Sequence, residues 1–246
     1  MKTPLRITLL ALAGSLAALS ATARASDGGC GEPLDTERPQ YIIGYGSLMQ
    51  DDSRLRTSPK AGPAHPVELE GYRRGWFSRA RLAGPGSTFL GVQSEPKRHL
   101  NAVIYQVAPA EVDATDKRES LYCRVSVSPS DVRPLEGGWA PERDAQLWLY
   151  QSLPDTVAAA DSRNPIVQSY LDVFLSGCLE QEQRYGLSGF SQECLATTDG
   201  WSEHWVNDRV YPRRPFVYQP KALQIDGLLS KQLPQYFSRV RIEPGT

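Results

Sequence analysis

The chain is poor in the residues that most catalytic and metal sites are built from. Its three histidines, His65, His99 and His204, stand apart in contexts that suit neither a metal site nor a catalytic triad. No C-x-x-C pair occurs among Cys30, Cys123, Cys178 and Cys194, which removes the usual support for structural zinc or thioredoxin-type exchange. A G-x-S-x-G nucleophile elbow is also missing. Charge of one sign is lacking too: the net charge is −1 and the basic residues are dispersed, which argues against a nucleic-acid partner or an anionic membrane surface. The longest apolar run, Ile7 to Leu19, is too short for a membrane span. There is no internal repeat and no low-complexity tract.

What is present begins with a leader. Lys2 and Arg6 precede the apolar run, and Ala23-Arg24-Ala25 offers a small-x-small cleavage site, so residues 1–25 read as a signal peptide and Ser26 as the first mature residue. Stable membrane insertion after cleavage is not expected, and the residues before Cys30 lack the leucine of a lipidation signal. Export to a periplasmic or secreted location would place all four cysteines in an oxidising compartment. Cys178 and Cys194 flank a helix end and a Gly/Ser loop, a favourable spacing for a bridge worth about 3 kcal/mol on the chain-entropy model. Four buried thiols are the alternative.

Residues 26–39 are polar and Gly/Pro-rich and read as a flexible leader, and residues 40–246 as one domain with a helical C-terminal extension. Short apolar or alternating runs at 41–45, 66–77, 88–93, 101–107, 122–128 and 145–151 predict strands and a small barrel or curled sheet. One helix should open after Pro109 and end near Glu119. A second should start at Asn164-Pro165, carry Ile166, Tyr170, Val173, Phe174 and Gly177 on one face, and stop at Gly186. The aromatic and proline-rich stretch 201–220 reads as an extended wrap, followed by a helix near Lys221 to Leu233 that buries Ile225, Leu228 and Leu229.

Three ordered landmarks carry chemistry. Tyr41-Ile42-Ile43 is a buried-strand signal that breaks into Gly44-Tyr45-Gly46-Ser47-Leu48, a loop whose backbone N–H groups can converge on a small anion. Leu69-Glu70-Gly71-Tyr72-Arg73-Arg74-Gly75-Trp76-Phe77 follows, and then the stretch Asp116 to Val127, with Glu119, Tyr122 and Arg124. Together they resemble the gamma-glutamylcyclotransferase-like superfamily, with its Y-G-S-L loop, L-x-G-Y-R strand and D-x-x-E-x-x-Y-x-R stretch. The resemblance covers residues 40 to 130 well and the rest loosely.

It implies an α+β fold, a small mixed β-barrel with surrounding helices and an extended C-terminal wrap. The activity implied is cyclisation of a γ-glutamyl peptide or amine, in which the substrate's α-amine attacks its own γ-carbonyl, releasing 5-oxoproline and the free amine. Neither cofactor nor metal is needed. The implied base and acid is Glu119, without the resemblance a residue of a solvated helix face. Tyr45, Gly46, Ser47, Leu48 and Tyr122 are the implied substrate-binding residues, with the loop N–H groups seating the α-carboxylate and the loop, Tyr105 or Tyr122 serving the γ-carbonyl oxygen. Arg73, Arg74 and Arg79 read as surface residues of a strand, with an arginine beside Trp76 and Phe77 pairing with the substrate's distal carboxylate as the alternative, and Arg124 as a structural partner of Asp116. Two other readings stand beside this one: a binding module for γ-glutamyl compounds without turnover, and a serine hydrolase using Ser47, which lacks its acid and histidine partners. The leaving amine and the oligomeric state are open.

Overall fold

The structure is a computed structural model that describes residues 30–79, 86–213 and 221–242. The expected signal peptide and its cleavage site lie outside the described residues. Strand β1 (Gln40–Gly44) is buried along its whole length, as its uninterrupted apolar run requires of a strand covered on both faces. A one-turn 3-10 helix, Ser47–Met49, and helix α1 (Asp51–Leu55) follow. Next come β2 (His65–Arg79), β3 (Thr88–Val107), α2 (Pro109–Arg118), β4 (Tyr122–Val127), β5 (Val132–Pro134) and β6 (Gln146–Ser152). The C-terminal part adds β7 (Ile166–Val167), α3 (Gln168–Tyr185), α4 (Phe190–Ala196), β8 (Thr198–Asp199) and β9 (Trp205–Asn207). It ends in α5 (Ala222–Gln232), α6 (Pro234–Phe237) and β10 (Arg241–Ile242).

The fold is mixed α+β, built on one ten-stranded sheet among the described residues. Its order is β10-β9-β7-β3-β1-β6-β4, with β2 branching from β3 to carry β5 and β8, and these pairings do not close into a ring. β1 pairs antiparallel with β3 and parallel with β6, so the loop after it leaves from the middle of the sheet.

Three elements differ from expectation. The runs 88–93 and 101–107 are one strand, β3, which pairs with β2 as a long ribbon. The charged segment Glu95 to Arg98 between them bulges opposite Gly71, and its polarity hid the continuity from a reading based on alternation. Helix α3 starts at Gln168, not at Asn164-Pro165. Asn164 closes a turn on Asp161, and β-branched Ile166 and Val167 join the sheet through Trp205 and Val206. Gly186 does end α3, in the left-handed conformation at φ +63°. In α5, Ile225 and Leu229 are fully buried while Leu228 is only partly so.

Two disulfides pin the periphery. Cys178–Cys194 joins α3 to α4, as the spacing suggested. Cys30–Cys123, which the sequence did not single out, ties the leader to β4. Over its described part, 30–39, the leader is held by further bonds, the Gly31 N–H donating to the Arg124 carbonyl at 3.3 Å and the Asp35 N–H to Gln146 Oε1 at 2.7 Å.

Candidate active site

The turn after β1 is shaped by close approach. A Cβ on Gly44 would stand 2.9 Å from Leu48 Cβ, and one on Gly46 would stand 2.8 Å from Tyr170 Oη. Met49 N–H donates to the Gly46 carbonyl at 3.0 Å, closing the 3-10 turn. The N–H groups of Gly46, Ser47 and Leu48 precede that first bond and meet no acceptor among the described residues. Tyr45, Ser47 and Leu48 are buried at 7%, 8% and 7% exposure.

Glu119 arrives from the opposite end of the sequence element that carries it. It caps the C-terminus of α2, its N–H bonded to the Thr115 carbonyl at 2.8 Å, and its own carbonyl takes the Tyr122 N–H at 2.8 Å as the chain turns into β4. Its side chain is 16% exposed.

Arg118 joins the two parts. Its Nε lies 3.0 Å from Glu119 Oε1, and its Nη2 donates to Ser47 Oγ at 3.2 Å and to Ser53 Oγ at 2.9 Å. Its Nη1 donates to the Ser53 carbonyl at 2.6 Å and to Thr57 Oγ1 at 2.9 Å. A planar fork anchored on the α1 segment therefore fixes both the loop hydroxyl and the carboxylate. Residues far apart in sequence meet through one side chain.

Tyr45, Tyr122, Tyr170 and Glu119 also gather. Burial pushes the Tyr45 phenol well above 10, and the charges of Tyr122, Tyr170 and Glu119 add to that rise. Tyr45 Oη donates to the Tyr150 carbonyl at 2.6 Å, and Tyr122 Oη to the Leu90 carbonyl at 2.9 Å. Both protons are directed at main-chain oxygens, so neither phenol, as placed, donates to an oxyanion. Tyr105, the other phenol considered for that role, is fully buried with the Arg54 guanidinium 5.0 Å from its ring centre.

Sequence reasoning missed Arg118 and Tyr170, and it favoured a surface place for Arg74. Arg118 was one charge among several beside Glu119, and Tyr170 occupied a core position of an amphipathic stripe. Arg74, read as a surface residue, is fully buried. Arg124 does pair with Asp116, at 2.9 Å. All three histidines are described and none of them bonds Ser47: His65 Nδ1 lies 2.6 Å from Glu136 and its ring stacks on Trp139, and His99 lies 3.6 Å from Glu193. Among the described residues no group of three or more His, Cys, Asp or Glu could hold a metal ion.

No family model and no curated protein matches the chain. Solved structures do resemble it at low identity. A gamma-glutamyl cyclotransferase aligns over 65% of this chain and 88% of its own, with 12% identity and a TM-score of 0.48. An uncharacterised protein from Homo sapiens aligns over 67% of this chain and 92% of its own, with 14% identity and a TM-score of 0.46. A yeast cyclotransferase specific to glutathione aligns over 65% of this chain and 97% of its own, with 13% identity and a TM-score of 0.38.

Proposed function

We propose that this protein is a γ-glutamylcyclotransferase, which converts a γ-glutamyl peptide or amine into 5-oxoproline and the free amine without a cofactor. The observation that carries the reading is Arg118, which brings Glu119 and the Gly46–Leu48 turn into one site. The substrate's α-carboxylate sits on the turn's N–H groups, so the γ-glutamyl chain folds back toward its own carbonyl. Tethering makes that geometry effective, because the reacting atoms need only be held in register. Glu119 takes a proton from the α-amine as its nitrogen bonds to the γ-carbon. Charge on the γ-oxygen is met by the turn N–H that the carboxylate leaves open. The C–N bond to the leaving amine then breaks, and Glu119 returns the proton to that nitrogen.

Export is part of the proposal. It rests on the charged, apolar and small-residue order of the leader and on two disulfides, which persist in oxidising compartments. Intact mass of the secreted protein should place its first residue at Ser26.

The test is a panel of γ-glutamyl peptides and amines assayed for 5-oxoproline by mass spectrometry. Glu119→Gln keeps the volume and loses the proton transfer, so kcat should fall by about two to four decades with ligand binding retained. Ser47→Ala leaves the backbone donors in place and should cost about tenfold to a hundredfold. An inactive Ser47→Ala with a near-normal Glu119→Gln would refute the cyclotransferase and restore a serine nucleophile. Binding of γ-glutamyl compounds without turnover across the panel would leave a binding module.

A further inference from the structure

Among the described residues a fully buried cation, Arg74, stands directly behind the turn. Arg74, on β2, directs all its donors at neutral oxygens. Its Nη1 reaches the carbonyls of Tyr45 at 3.0 Å and Asn101 at 2.9 Å. Its Nη2 reaches Asn101 Oδ1 at 3.1 Å, the Cys194 carbonyl at 2.9 Å and Thr197 Oγ1 at 2.8 Å, and its Nε reaches Thr198 Oγ1 at 2.8 Å. Among the described residues no carboxylate makes a close ion pair with it, and Glu193 acts on its charge only at longer range. A buried charge without a counter-ion is costly, and a purely structural core would be served by an apolar residue. Burial draws its pKa down to about 9, which still leaves the cation intact at neutral pH.

We infer that Arg74 is a positioning residue for the substrate's carboxylate seat, holding the Tyr45 carbonyl so that the Gly46 N–H is aimed at the bound anion and setting a positive charge behind it. This rests on the reading of the Gly46–Leu48 turn as that seat. The physical step is the planar trans peptide: its C=O and N–H point in opposite directions, so fastening the Tyr45 oxygen to the core turns the Gly46 N–H away from the core. The guanidinium also polarises that peptide, which strengthens its N–H as a donor.

The bracing extends to a disulfide. Cys194, whose carbonyl Arg74 holds, is bonded to Cys178, and Cys178 Sγ lies 4.0 Å from the sulfur of Met49 at the end of the same turn. Thr198 Oγ1 donates to the Cys194 carbonyl at 2.6 Å while accepting from Arg74, and Asn101 Nδ2 donates to the Phe190 carbonyl at 2.8 Å. The turn is thereby clamped to α4 and α3 from two sides.

Three proteins test this: wild type, Arg74→Lys, which keeps a charge but not the fork, and Thr198→Val, which removes one support of the fork and is mild enough to fold. Amide hydrogen exchange is read at Met49 and Gln50, whose N–H groups close the turn, against β1 and β3, and 5-oxoproline, which carries the carboxylate, is titrated into each. Exchange of the turn should rise about tenfold in Thr198→Val and more in Arg74→Lys, with the β1 and β3 amides unchanged in Thr198→Val, and 5-oxoproline should bind about tenfold to a hundredfold more weakly to Arg74→Lys. Where catalysis is measurable, KM should rise more than kcat falls, because the seat acts on substrate and transition state alike. Unchanged exchange in the turn of Thr198→Val, acceleration spread evenly over its sheet, or undiminished 5-oxoproline affinity in Arg74→Lys would overturn the assignment. A wild type that neither makes nor binds 5-oxoproline would fail the functional reading instead, and the exchange pattern in Thr198→Val would still decide whether Arg74 orients the turn.

Discussion

Replacing Gly177 by alanine should damage this protein although alanine favours helices. Gly177 lies within α3, where the α-helix packs on the turn that ends at Met49. A Cβ there would stand 2.6 Å from the Gln50 nitrogen and the Met49 carbonyl carbon and 2.8 Å from Met49 Cβ. Ordinary contact begins at 3.4 Å, and backbone atoms have no rotamer by which to escape, so the turn must retreat by about 0.8 Å. Alanine gains about 0.5–1 kcal/mol of helix propensity. Overpacking costs about 1–3 kcal/mol, and rigid backbone on the receiving side puts this case at the upper end. The net is a loss of about 1–2 kcal/mol, or about 2–8 °C in Tm for a chain of this length. Because the displaced atoms follow directly on Ser47, catalytic efficiency should fall about tenfold to a hundredfold as well. Gly227→Ala in α5 is the control, since its Cβ meets nothing within 4 Å and should stabilise by about 0.5–1 kcal/mol. Urea and thermal unfolding of the two variants decide the matter. A Gly177→Ala protein as stable as wild type, or stabilised like Gly227→Ala, would refute the packing argument.

The two disulfides should differ in worth: on the chain-entropy model, closure over a separation of 93 residues by Cys30–Cys123 contributes about 4.5 kcal/mol and closure over 16 by Cys178–Cys194 about 3. Paired serine variants compared by urea unfolding should show that order, with both bridges seen in non-reducing peptide maps. Arg209 holds the fully buried Asp172 at 2.7 Å and also Asp226 at 2.8 Å, so Arg209→Ala should cost about 3–5 kcal/mol, partly recovered by adding Asp172→Asn. Burial raises the Asp172 carboxyl against the pull of Arg209. The native state of that variant therefore holds the proton more tightly than the unfolded chain, and its stability should fall as pH rises from about 4, where a flat profile would contradict the assignment. Asp51 carries the opposite sign: burial pushes its carboxyl up, but the Arg184 hydrogen bond and the Arg54 charge outweigh that and hold it below 3.8. Its contribution should be complete above pH 3.8 and vanish as pH falls below that, so Arg184→Gln should flatten the acid limb of a stability profile.

By itself the sequence determined what local chemistry decides. The apolar run 41–43 broken by Gly44 and Gly46 marked a buried strand and the turn after it, because only glycine admits the contacts with Leu48 and Tyr170. Proline at 109 opened α2, Gly186 closed α3, and two cysteines flanking one helix end found each other. Glu119 and the loop were legible as landmarks, yet nothing in their neighbourhoods joined them. Only the tertiary structure decided that Arg118 would reach Ser47, that Arg74 would turn inward behind Tyr45, and that Cys30 would close on Cys123. Each of these is settled by which distant backbone segment lies across from the side chain. An arginine on a strand looks the same in sequence whether it faces water or the carbonyls of Tyr45, Asn101 and Cys194, and sheet pairing alone selects between them.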